Sequence, residues 1–364
     1  MSNNENRAWE RAHGERAHEE RTHGERAHEE RVSAGNGHNA ACERVDVRES
    51  DATRESAVVA GESDAACERG DVRESDAACA AENDSVLDAS RFITCAAQLS
   101  YNGAPFHGFA RQPHQCSVQG NVEAALATLF RMPIQTVCAG RTDAGVHARR
   151  QVISFDMPAS FDERVRSPRS LFALNALTHD AIAIHDIQVV EQGFSARFDA
   201  IERTYRYLIY NAVAPCVLIA PLCWHITKPL DIAAMQQAAR FFIGEHDYKS
   251  FCHAPSAVGK PTCRFVRCVN IMPVQVWGYA CIAIEVVGNA FLHSMVRTMV
   301  GTLVQVGLGK HQPQWVEQVL CARDRRAAGP CAPACGLTFW DVRYASVSFE
   351  QEQRQLSAVW GGRS

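Results

Sequence analysis

The sequence predicts an α+β protein made of two sheet-and-helix lobes behind a polar N-terminal tail. Three observations carry this expectation. Composition breaks near residue 90: residues 1–90 hold 22 acidic and 11 basic side chains, whereas residues 91–364 hold 19 acidic and 26 basic ones. From Arg91 onward, runs with the two-residue period of strands alternate with runs at helical spacing. That alternation occurs twice, over 91–200 and over 201–350, with 351–364 left as a C-terminal tail. Strands interleaved with helices in two similar stretches make an α+β arrangement. The pattern leaves open whether the two sheets join.

In the first stretch, 92–100 reads as a strand ending at the turn Tyr101-Asn102-Gly103. Val118, Val122, Leu126, Leu129 and Phe130 then fall on one helical face. Strand-like runs over 134–138 and 151–155 flank a polar loop. Ser167 followed by Pro168 is an N-cap with proline at the first helical position, which opens a helix through Leu171, Leu174 and Leu177. Residues 181–190 return as a strand. In the second stretch, 203–210 alternates so that Tyr205, Tyr207 and Ile209 share one face. Asp231 opens a helix carrying Met235, Ala238, Ala239 and Phe242. Strands over 264–271 and 279–287 lead into a long helix from Phe291 to about Val306. A helix near Trp315 and a strand over 337–344 complete about 260 residues, ample for a core.

The tail is low-complexity. Arg11, Arg16, Arg21, Arg26 and Arg31 each begin a five-residue unit, and the stretch 42–52 recurs at 67–77. A five-residue period advances about 140° per unit around a helix, so it builds no continuous face. The Arg-to-Glu pairs at i,i+4 also run in the weaker orientation. With almost no large apolar residue before Val58, the tail cannot offset its ordering entropy and is expected to be disordered. It is read as dispensable; a tether for a partner and a stretch that is never translated are the competing readings. Metal binding by its His- and Glu-rich repeats is a weaker idea.

The net charge of −4 conceals a basic body behind this acidic tail. A basic body suits a polyanionic partner, because each phosphate neutralised by Arg or Lys releases counterions. Fifteen cysteines are scattered through the chain. Cys95, Cys116, Cys138, Cys223, Cys252 and Cys281 lie mostly in apolar runs, as buried free thiols would. Neither Cys331 with Cys335 nor Cys263 with Cys268 has partners at zinc-site spacing, so no structural metal is expected. No apolar run reaches the roughly 18 residues that span a bilayer. These features predict a cytoplasmic, reduced protein without a membrane segment.

The most concentrated chemistry lies at 139–148, Ala-Gly-Arg-Thr-Asp-Ala-Gly-Val-His-Ala. Physical reasoning allows two uses for it. Asp143 can make an Asx turn while Gly145 supplies a positive φ. Alternatively, two strands hold a loop that presents Arg141 and Asp143 as reactive groups. This loop resembles the catalytic loop of the tRNA pseudouridine synthase A family. Further matches in order and spacing are 117–120 (Ser-Val-Gln-Gly), 194–198 (Phe-Ser-Ala-Arg-Phe), 203–207 (Arg-Thr-Tyr-Arg-Tyr), Met295-Val296-Arg297 and Gly336-Leu337. Such agreement over about 250 residues is far more specific than one short motif.

The resemblance implies the pseudouridine synthase fold: two ferredoxin-like halves sharing a mixed β-sheet, helices packed on it, and a catalytic cleft between the halves. It implies isomerisation of uridine to pseudouridine in the tRNA anticodon stem-loop, positions 38 to 40, without metal or organic cofactor, by a homodimer in which each tRNA contacts both subunits. Asp143 is then the nucleophile, attacking either the sugar C1′ or the uracil C6. Its carboxylate must be ionised to act, and a nearby arginine favours that form. Arg297 is the implied counter-charge, although without the family match it reads as a solvent-facing arginine. Tyr205 is implied to stack on the target uracil, where the residues alone give a half-buried strand aromatic. Arg141 supports base flipping or positioning, and His147 reads as a structural hydrogen-bonding residue.

Two departures stand out from the family pattern. Asn102 replaces an aspartate in the Tyr-Asp-Gly turn, which asparagine should preserve. Phe109 replaces a tryptophan after Gly108, removing an indole donor. Both bear on RNA contact rather than on the reaction. The alternatives to the main reading are a non-catalytic RNA-binding protein on the same fold and a synthase acting on another RNA site.

Overall fold

Residues 92–349, which the computed structural model describes, build one ten-stranded mixed sheet with helices packed on it. The expectations for the tails at 1–90 and 351–364 fall outside these residues. The first stretch contributes β1 (Phe92–Tyr101), α1 (Val118–Phe130), β2 (Val137–Cys138), β3 (His147–Pro158), α2 (Asp162–Arg166), α3 (Pro168–Leu177) and β4 (Ile182–Val190). The second contributes β5 (Ala200–Asn211), β6 (Trp224–Ile226), α4 (Ile232–Ala239), β7 (Gly244–Asp247), β8 (Cys263–Val276), β9 (Tyr279–Gly288), α5 (Met295–Gly307), α6 (Trp315–Ala322) and β10 (Leu337–Tyr344).

The sheet runs β4-β1-β3-β10-β5-β9-β8-β7, with β2 added to β3 and β6 to β5. The sheets do join, and the last strand joins them. β10 pairs in parallel with β3 through Thr338 and Phe339, and antiparallel with β5, where Phe339 lies opposite Tyr205. The start of β3, just after Asp143, is thereby brought to the level of Tyr205. Burial on β5 alternates as its sequence requires, with Tyr205, Tyr207 and Ile209 all inside. Thr94 to Leu99 of β1 are buried without alternation, as in a strand covered on both faces.

Local rules explain most helix starts. Ser117 caps α1 by accepting from Gly120 N–H, Ser167 caps α3 ahead of Pro168, and Asp231 caps α4 through Ala234 N–H. α5 departs from expectation. The helical pattern extends back to Phe291, but the helix begins only at Met295, because Ser294 is left-handed at φ 59°. Residues 289–294 form a loop instead. Once begun, α5 is buried nearly all round, and Gly301 is the point of closest approach. A Cβ at Gly301 would sit 1.7 Å from the carbonyl oxygen of Pro330. The segment against the helix is pinned there by Gly329 N–H to Thr302 Oγ1 and Ala332 N–H to the Arg297 carbonyl.

Of the six cysteines expected as buried thiols in apolar runs, five are buried free thiols; Cys116 is exposed, because its loop lies at the surface. Among the described residues no helix is long and apolar enough to cross a membrane.

Candidate active site

Asp143 lies on the loop between β2 and β3, and other elements hold that loop at every step. Gln151 of β3 donates to Gly140 O at 2.7 Å. Phe109 N–H donates to Thr142 O at 3.0 Å, and the Thr142 and Tyr101 hydroxyls are 2.8 Å apart. Val146 N–H closes the turn onto Asp143 O at 3.1 Å, with Gly145 at φ 77°, which glycine adopts without a Cβ clash. The Ser-Val-Gln-Gly stretch has a supporting part. Gln119 bridges Arg111 N–H and Thr136 O, tying α1 to the approach of β2.

The carboxylate faces the start of α5. Arg297 Nη1 donates to Asp143 Oδ2 at 2.9 Å, and Arg297 Nε donates to Ala332 O at 2.9 Å. The structure thus brings together two residues 154 positions apart. Ser294 Oγ donates to the same Oδ2 at 2.9 Å, and His293 Nε2 lies 3.3 Å from Oδ1. Below the loop, Tyr205 is 7% exposed, with the rings of Phe291 and Phe339 at 5.0 and 5.2 Å in edge arrangements. Burial pushes its phenol well above the ordinary value, which keeps it neutral. Arg141 is exposed on the rim and makes no hydrogen bond or ion pair among the described residues.

His147 takes no part in this group. Its Nδ1 accepts from Gly103 N–H at 3.0 Å, and Nε2 donates toward the carbonyls of Pro221 and Cys335, each at 3.1 Å. That set fixes a neutral tautomer, and burial pushes its pKa below the ordinary imidazole value. Of the two departures, Asn102 keeps the turn by accepting from Ala104 N–H at 3.0 Å. Phe109 is 1% exposed, packed beside Tyr101.

The sequence reading gave Arg203 no part beyond its motif and gave the His293-Ser294 pair no part in the site. Arg203 is buried, and its guanidinium donates to the carbonyls of Ala139, Ala200, Arg197 and Asn289. With no carboxylate among those partners, burial lowers its pKa. A signal existed: Glu202 and Arg203 are adjacent charges just ahead of a clean strand alternation. Polar His293 and Ser294 likewise interrupt an apolar run, which marks a helix start later than Phe291.

Together these loops line a cleft of about 1820 Å³, where exposed Arg141, Arg197, Lys260 and Arg343 outnumber exposed Glu191 and Glu245. That exceeds the roughly 300–1,000 Å³ of small-molecule sites and suits a larger, anionic occupant. Among the described residues no group of three or more His, Cys, Asp or Glu could hold a metal ion.

Residues 238–345 match the family model described as tRNA pseudouridine synthase. Over 248 residues the chain is 43% identical to the tRNA pseudouridine synthase A of Brevibacillus brevis, covering 68% of this chain and 97% of that protein. The chain belongs to the tRNA pseudouridine synthase A family. It is therefore an isomerase with the fold of that family. The synthase A of Francisella tularensis subsp. tularensis is 39% identical over 259 residues, covering 70% and 95% of the two chains. Among solved structures, the archaeal box H/ACA sRNP Nop10–Cbf5 complex aligns with 64% of this synthase and 60% of that chain, at 12% identity and a TM-score of 0.23, too slight a likeness to carry weight.

Proposed function

We propose that this synthase isomerises uridine to pseudouridine at positions 38 to 40 of the tRNA anticodon stem-loop, with Asp143 as nucleophile. The observation that carries the reading is the Asp143–Arg297 pair, a carboxylate held by a fixed cation in the lining of the cleft. Arg297 sets a fixed positive charge 2.9 Å from the carboxylate that would act as the nucleophile. Arg141, exposed on the rim two residues away, holds the adjacent backbone or fills the space a flipped base vacates.

Extruding a stem uridine costs a few kcal/mol, and stacking on an aromatic ring returns on the order of 1–3 kcal/mol. These nearly balance, so phosphate contacts from the rim cations supply the net affinity. Tyr205 is the stacking platform in this reading. Little of its ring is open to the cleft, where the ring of Phe291 lies 5.0 Å away. A homodimer, with each tRNA contacting both subunits, completes the proposal.

Mapping pseudouridine in tRNA from cells lacking this chain tests the target. Loss at 38–40 alone is expected; loss at another RNA site, or none, overturns it. For the nucleophile, Asp143→Asn should slow pseudouridine formation at least about 1000-fold while tRNA still binds. Nucleoside chromatography after single turnover reads the rate.

A further inference from the structure

The two oxygens of Asp143 have unlike surroundings. Oδ2 accepts from Arg297 Nη1 and Ser294 Oγ, both at 2.9 Å, which fills its two lone-pair directions. Among the described residues Oδ1 has one polar contact, His293 Nε2 at 3.3 Å, on a half-exposed ring.

Ser294 is unusual for its place. It stands at the N-cap of α5, where a serine ordinarily accepts a hydrogen bond from a backbone N–H of the first turn. Here it makes no such cap, and its backbone is left-handed at φ 59°. A non-glycine residue stays in that region only when its surroundings hold it there. The hydroxyl is directed at Asp143 instead of at the helix.

We infer that Ser294 is a positioning residue for the isomerisation: with Arg297 it saturates Oδ2 and reserves Oδ1 as the oxygen that attacks the nucleoside. This rests on the reading of Asp143 as the nucleophile. In the attack, a lone pair of Oδ1 forms the new C–O bond. If C1′ is attacked, the N1–C1′ bond breaks and its electron pair stays on uracil N1. If C6 is attacked, the C5–C6 π pair moves through the ring onto O4 as an enolate. On either route the carboxylate's negative charge passes to the uracil, and Oδ2 becomes the carbonyl oxygen of an ester. Both donors to Oδ2 stay in place throughout, so the adduct forms without breaking a protein hydrogen bond. Oδ1 must exchange only its long contact with His293 for the substrate.

The backbone supplies a clean test. Glycine adopts the left-handed conformation without strain, so Ser294→Gly removes the donor while relieving the backbone. Asparagine tolerates the same conformation and carries an amide N–H that can donate. In single turnover, Ser294→Gly should form pseudouridine about tenfold more slowly, with its Kd for tRNA within about twofold of the parent and its Tm unchanged or raised. Ser294→Asn should recover most of the lost rate. A parental rate in Ser294→Gly overturns the inference. So do equal slowing of both variants and slowing that tracks a fall in Tm or tRNA binding. Asp143→Asn, run alongside, separates the two claims. Activity in that variant sinks the nucleophile reading, whereas an inactive Asp143→Asn beside a full-rate Ser294→Gly removes only the role of Ser294.

Discussion

Two arginines hold the Asp143 loop from opposite ends, and they do so by different physics. At the rear, Arg203 lies buried with its guanidinium spread over carbonyls of Ala139, Arg197, Ala200 and Asn289. At the front, Arg297 gives one donor to the Ala332 carbonyl and another to the Asp143 carboxylate. One cation satisfies neutral acceptors and so knits three chain segments together, around 139, 197–203 and 289. The other turns its charge to a carboxylate in the lining of the cleft. The rear contact reads as architectural, and the front contact is the one proposed for the chemistry, although the side chain is the same. A guanidinium serves both uses because its five donors form a rigid fork that neither water nor a lysine reproduces.

Substitutions at the two ends should separate along that line. The largest effect is expected at the rear. Arg203→Met leaves at least three carbonyls without their donor, which should cost about 3–5 kcal/mol and lower Tm by roughly 6–20 °C. Thermal melts read it, and a stable variant would erase the distinction. At the front, Arg297→Gln should slow pseudouridine formation about 100-fold, near 2.7 kcal/mol in the barrier, with a smaller change in Tm. A fall in Tm as large as that of Arg203→Met would make both arginines structural. Gly301→Ala sharpens the front further, since its Cβ would strike the Pro330 carbonyl that flanks the Arg297 helix. Overpacking there should cost about 1–3 kcal/mol and displace Ala332, so both stability and rate should drop.

The smallest effect concerns His147, next to the loop but outside the charged group. Burial holds its folded pKa below the ordinary imidazole value. The unfolded chain therefore takes up a proton near pH 6.5 where the native state does not. Its contribution is complete above that pH and is lost as pH falls from 6.5 through the folded value. Tm should decline over that range, and His147→Asn should flatten the decline. An unchanged slope would remove His147 from the account.

Much of the fold was legible because its signals are local. Caps at Ser117, Ser167 and Asp231 and the alternation of β5 each depend on a few neighbouring residues. The helix expected from Phe291 shows where local signals fail. Apolar spacing favours extending α5 backward, but Ser294 is left-handed with its hydroxyl turned to Asp143 of the other stretch, and 289–294 stay a loop. The short strands β6 and β7 were invisible for a related reason. At three and four residues they carry too little pattern and exist through pairing with β5 and β8.

Sequence by itself determined the chemistry available: a glycine-hinged loop with Asp143, an arginine on a later helix, an aromatic strand and a basic body. It determined the order of elements too, since propensity, caps and apolar period act within a few residues. Tertiary structure alone decided which groups meet. β10 wedges between β3 and β5, bringing the Asp143 loop level with Tyr205, and the start of α5 supplies Arg297 and Ser294 from about 150 residues away. Residue spacing holds no record of such meetings, because they follow from how sheet and helices pack once the core closes.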